Sequence, residues 1–96
     1  MKTLPLNVIA YRKTPVFTEA TIPPGLLHHH TTKAGSWGKI LVMSGQLCYR
    51  ILTDPPEEHR LTPSSPGIVE PQVPHQVESL GPVTFYVEFY QASPHL

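Results

Sequence analysis

The chain has 96 residues, which is one domain at the small end of the usual range, with seven basic and seven acidic side chains. The cancelling charge and lack of a basic patch argue against nucleic-acid binding, and the longest apolar run, residues 40–43, is too short to span a bilayer. Cys48 stands alone, so no internal disulfide forms; with no signal-type run at residues 1–5, the expected compartment is the cytoplasm.

Twelve prolines and six histidines are the unusual counts. Proline at this density breaks helices and punctuates strands, and no long amphipathic helix pattern survives between the prolines. Residues 8–12 read as a first strand, closed by Thr14-Pro15, and a short stretch follows around Val16-Phe17. Pro23-Pro24-Gly25 marks a turn, and residues 26–32 then read as the strand that carries three consecutive histidines. Residues 39–43 and 47–53 form the clearest hairpin pattern, around Ser44-Gly45-Gln46. Short strands are also predicted at residues 59–62, 68–70, 76–79 and 83–91. Many short strands between turn signals predict an all-β sandwich or closed barrel, one domain over residues 1–96. The tail from Ala92 to Leu96 is expected to fray.

On a strand, side chains alternate faces, so His28 and His30 would share one face and His29 the other. Two imidazoles so placed can reach one ion, and His75, after the stiff Pro71-Gln72-Val73-Pro74 segment, is the third candidate. The bland alternative for the triple histidine is a solvated loop. His59, among Glu57, Glu58 and Arg60, reads as solvated, and His95 has no role.

A strand HxH, a later glycine turn and a P-x-x-P-H segment together resemble the cupin superfamily. Gly45 matches the last glycine of the first cupin motif, and His75 matches the histidine of the second. A closer resemblance lies in YRKTPVF at 11–17, LHHHTTKAGSWG at 27–38, VEPQVPH at 69–75 and VTFYVEFY at 83–90. These strings are similar to the TehB/YeaR-type, tellurite-resistance-related domain family. The resemblance implies a cupin-type double-stranded β-helix, a small jelly-roll barrel. It also implies a link to tellurite resistance or stress response. Some members carry this domain ahead of a methyltransferase. A chain of this length has no strand–glycine loop–helix unit to hold that cofactor, so methyl transfer by it alone is not expected.

The departures from the cupin pattern concern the fourth ligand. The usual glutamate position falls on Gly38, counted back seven residues from Gly45. Glu70, five residues before His75, is a replacement or a water-facing strand end; Glu88 reads as a paired or interface carboxylate. The expected metal set is therefore His28, His30, Glu70 and His75, holding zinc, iron or nickel. Trp37 walls a pocket mouth or packs a barrel end, Lys33 draws an anion or is solvated, and Cys48 is not clearly core. The leading functional expectation is a metal-binding domain that binds or senses a small molecule or oxyanion. A dioxygenase- or isomerase-type metal enzyme is the alternative, and a structural partner domain the third reading. The expected apolar core is Ile40, Val42, Leu47, Phe85, Val87 and Phe89. The opposite face of the last strand, with Tyr86, Glu88 and Tyr90, predicts a homodimer.

Overall fold

Two long strands carry the molecule. In a computed structural model, which describes residues 1–93, β3 (Trp37–Ile51) and β6 (His75–Ala92) pair antiparallel along almost their whole length. The other strands, β1 (Val8–Lys13), β2 (Phe17–Thr18), β4 (Glu57–Leu61) and β5 (Gly67–Val69), flank this ribbon. β1 and β2 both lie on β6, while β4 and β5 both lie on β3, giving one antiparallel sheet of order β1-β6-β3-β4. The all-β class is as expected.

Residues 39–53 do not form the expected hairpin: β3 runs straight through Ser44-Gly45-Gln46. Gly45, at φ 79°, sits where the register slips by a bulge on either side, between Val42 and Ser44 and between Gly45 and Leu47. A Cβ on Gly45 would strike the Pro82 carbonyl oxygen and come within 3.0 Å of Val83 Cα. The glycine therefore admits the close approach of β6 at a bend, as glycine does in bulges, and makes no turn. The predicted strands at 76–79 and 83–91 are likewise one strand, bent at Gly81-Pro82.

Inside the bend, Ile40, Val42, Leu47, Tyr49, Leu61, Val69, Val77, Val83, Phe85 and Val87 form the buried core, with Phe89 packed against it. Cys48 is buried too, but on the opposite face from Leu47 and Tyr49, among Arg50, Glu58, Arg60 and Glu78. Residues 26–32 are not a strand. Pro24–Leu27 is a short 3₁₀ turn, a start that proline favours because its φ is already set. Ala92 closes β6 and the Ser93 amide donates to the Asn7 carbonyl at 2.9 Å, so the tail is tied down this far; His95 lies outside the described residues.

Candidate functional site

His30 and His75 meet. Each donates its backbone amide to the other's carbonyl at 2.9 Å, an isolated antiparallel bridge that fixes both side chains relative to one another. The segment leading to His75 is held on both sides: the Gln72 amide donates to the Thr32 carbonyl and the Leu52 amide to the Pro74 carbonyl. The two rings stand edge to face at 5.2 Å, and the Tyr49 ring closes on His75 at 6.0 Å from below.

The hydrogen bonds assign the tautomers. The Val73 carbonyl, 3.2 Å from His75 Nδ1, only accepts, so that nitrogen carries the proton. His75 Nε2 is then an acceptor, and the partner at 3.4 Å, His30 Nδ1, donates to it. His30 Nε2 is left with its lone pair and no partner among the described residues. Burial holds the His75 imidazole below the usual histidine value; the Val73 carbonyl opposes this and the nearby His30 and His29 add to it.

The pair closes the polar end of a cavity of about 320 Å³, whose walls are Ile40, Val69, Val77, Phe85, Val87 and Phe17, with Leu26 above. Val77 and Phe85 flank the Gly81-Pro82 bend and both face this space, so the curl of β6 creates it. An apolar cavity with a few convergent polar groups suits a small molecule. Its mouth is shared with a surface groove by Arg12, His30, Thr32 and Phe89. Thr32 is buried and anchors the rim by donating to the Ser36 carbonyl at 2.8 Å.

The remaining candidates stand apart. His28 and His29 are exposed on the bend after the 3₁₀ turn, and neither they nor Glu70 line the cavity. Strand alternation does not apply to the triple histidine, since only His30 sits in a bridge. Glu88 accepts the Tyr90 hydroxyl at 3.1 Å on the outer face. Trp37 pairs with Tyr90 there, and Lys33 lies over the Tyr11 ring. Burial, ahead of the Glu58 charge, pushes the Cys48 thiol up. His59 is half-buried, bonded to Glu57, which the N-terminal ammonium also contacts. Sequence reasoning missed Arg12, Thr32 and Val77, which the bend alone brings together; the YRKTPVF string was the available signal for Arg12.

The model of the TehB-like domain family matches residues 12–87, which include Arg12, His30 and His75. The chain belongs to the TehB-like domain family. It is 40% identical over 78 residues to the probable S-adenosyl-L-methionine-dependent methyltransferase TehB of Haemophilus influenzae (strain ATCC 51907 / DSM 11121 / KW20 / Rd), covering 77% of this chain and 27% of that protein. TehB of Haemophilus influenzae strain 10810 matches to the same extent. The crystal structure of TehB from Haemophilus influenzae superposes with a TM-score of 0.82 at 36% identity, over 91% of this chain and 32% of that one. A crystal structure of a protein from E. coli (strain K12) shares the fold, with a TM-score of 0.87 at 24% identity over 97% of this chain and 99% of that one. The chain thus spans about a quarter of the methyltransferases it matches.

These findings correct three expectations. The TehB-like family replaces the cupin superfamily as the chain's assignment. A metal-binding or metal-dependent function, whether sensing domain, dioxygenase or isomerase, is overturned by relatives described as probable S-adenosyl-L-methionine-dependent methyltransferases. A divalent zinc, iron or nickel cofactor falls with it: among the described residues no group of three or more His, Cys, Asp or Glu converges to hold an ion. The physical reason is the 3₁₀ turn, which sends His28 outward and leaves a two-imidazole pair bonded to itself. The relatives' own cofactor does not fit these residues either. The cavity lining has no carboxylate to take ribose hydroxyls, and among the described residues no glycine turn opens an α-helix to receive a nucleotide.

Proposed function

We propose that the chain serves TehB-type, S-adenosylmethionine-dependent methyl transfer as the β-domain that receives the small-molecule methyl acceptor. The cofactor, which supplies an electrophilic methyl group, is held outside residues 1–93. The observation that carries this reading is the cavity closed by His30 and His75, both within the residues that the TehB-like family model matches. His30 Nε2 offers its lone pair to a hydroxyl or thiol within the cavity, while His75 and the Val73 carbonyl hold the ring in that tautomer. The apolar walls take the body of the acceptor and exclude water.

A chimera tests this: the matching segment of Haemophilus influenzae TehB is replaced by this chain and assayed with labelled S-adenosylmethionine against a panel of aromatic thiols and phenols. Methyl transfer well above that of the segment-deleted enzyme, and lost on His30→Ala, is the expected result. Equal rates in the chimera and the deleted enzyme would overturn the proposal.

We infer a homodimer as the working form, supported by the outer face of the β3–β6 ribbon. There Trp37 faces Tyr90, Leu41 faces Tyr86, and between them Lys39 faces Glu88. A two-fold axis through this centre would set each Lys39 near the partner's Glu88, a self-complementary arrangement. Light scattering at micromolar concentration, with Tyr90→Ala to break the contact, reads the outcome. A one-chain mass in the unsubstituted protein would reject it. The lone thiol of Cys48 fits a cytoplasmic setting. Among the described residues no helix is long and apolar enough to cross a membrane.

A further inference from the structure

Arg12 lies at the cavity mouth beside His30, Thr32 and Phe89, and is the feature that the functional reading leaves unexplained. Its guanidinium lies 5.8 Å from the centre of the Phe89 ring, which is itself part of the cavity wall. This cation–π contact keeps the guanidinium near the Phe89 edge of the mouth. Among the described residues it makes neither an ion pair nor a side-chain hydrogen bond, so its five donors are free. Lys13 also lines the cavity but carries its Nζ over the Tyr86 ring, and Lys33 sits over Tyr11 in the groove that continues from the same mouth. No aspartate or glutamate lines either the cavity or that groove. Positive charge at a rim without acid, above an apolar interior, selects one kind of guest.

We propose that the cavity takes an amphipathic organic anion, a carboxylate or similar head bound by Arg12 at the mouth with its apolar body lying against the wall of Phe17, Phe85 and Val77. This deepens the acceptor-site reading and rests on the cavity being that site. Guanidinium suits the role because its planar fork can pair a carboxylate through two parallel hydrogen bonds. The low-dielectric walls next to the rim strengthen the attraction compared with an open surface.

The test uses hydrocinnamate and its neutral counterpart hydrocinnamyl alcohol, which share one apolar body and differ in the head. Calorimetric titration of the intact chain is expected to give a dissociation constant about tenfold lower for the carboxylate, the size of a charge-assisted contact at a partly exposed site. Arg12→Gln is expected to bring the two affinities within about threefold of each other, and Lys33→Gln to reduce the preference less. Arg12 is exposed, so its loss leaves the fold intact. Equal binding of acid and alcohol by the unsubstituted chain, binding of neither, or a preference that survives Arg12→Gln would each overturn the proposal. The titration contains neither cofactor nor methyltransferase. An inactive chimera combined with an Arg12-dependent preference would therefore sink the methyl-transfer reading and leave the anion site standing.

Discussion

The cavity under His30 and the charged patch around Cys48 lie on the same β3–β6 ribbon, and they differ in what surrounds their polar groups. Around Cys48 the charges are of both signs: Arg50 donates to Glu58 at 3.0 Å and approaches the thiol sulfur at 3.7 Å. Arg60 and Glu78 stand opposite Cys48 on the flanking strands. At the cavity, a chain of donors runs inward from His30 to His75 to the Val73 carbonyl and leaves one imidazole nitrogen and one guanidinium without partners among the described residues. Both regions carry histidine and arginine, but only the Cys48 patch has carboxylates and only the cavity has apolar walls. Unsatisfied hydrogen-bonding capacity of one charge sign beside apolar walls marks a site, whereas charges of both signs facing each other on a polar surface need no guest.

The largest effect is expected at the bend that separates the two regions. Gly45→Ala puts a Cβ against backbone of Pro82 and Val83 and asks an L-residue to hold φ 79°, so neither obstacle can move aside cheaply. A loss of about 3 kcal/mol or more in urea unfolding is expected, with both regions disturbed together. Next comes His75→Ala, which orphans the His30 Nδ1 donor and the Val73 carbonyl and enlarges the cavity; about 2 kcal/mol should be lost. On the other side of the comparison, Glu58→Gln removes an exposed partner of Arg50 and should cost under about 1 kcal/mol. Comparable losses from His75→Ala and Glu58→Gln would erase the distinction between the regions.

Acidity sharpens the same contrast. His75 is held below its ordinary value of 6.5 by burial, so the unfolded chain binds the proton more readily than the folded one. Stability from this group is complete above about pH 6.5 and falls as pH drops through that value toward the lowered folded one. His75→Gln should flatten the decline in thermal midpoint between neutral and mildly acid solution. An unchanged decline would assign it elsewhere. The smallest signal belongs to Cys48, whose raised, buried thiol should alkylate slowly in native protein and rapidly in urea.

Period-two alternation in VTFYVEFY correctly put Val83, Phe85 and Val87 inside and Tyr86 on the opposite face, since one face of β6 meets the core. The strands at 8–12 and 68–70 were legible from their turn signals to within a residue or so. Gly45 and Gly81-Pro82 misled because a glycine needed for close approach at a bend has the same local signature as one in a hairpin turn. Only the partner strand, distant in sequence, distinguishes them. At the site, His30 and His75 were legible as a pair and are brought together. His28 was not, because Pro23-Pro24-Gly25 set a 3₁₀ turn where the alternation argument needed a strand. Arg12 was visible only as part of the YRKTPVF string, and its place at the mouth depends on where β1 lies on β6.

The central claim, that this domain receives the acceptor while the cofactor binds elsewhere, is tested most directly by amide NMR of the chain titrated separately with thiophenol and with S-adenosylmethionine. Thiophenol should shift the resonances of His30, His75, Phe85 and Val77, and S-adenosylmethionine should leave them in place. Saturable shifts of those same resonances with S-adenosylmethionine, and none with thiophenol, would contradict the account.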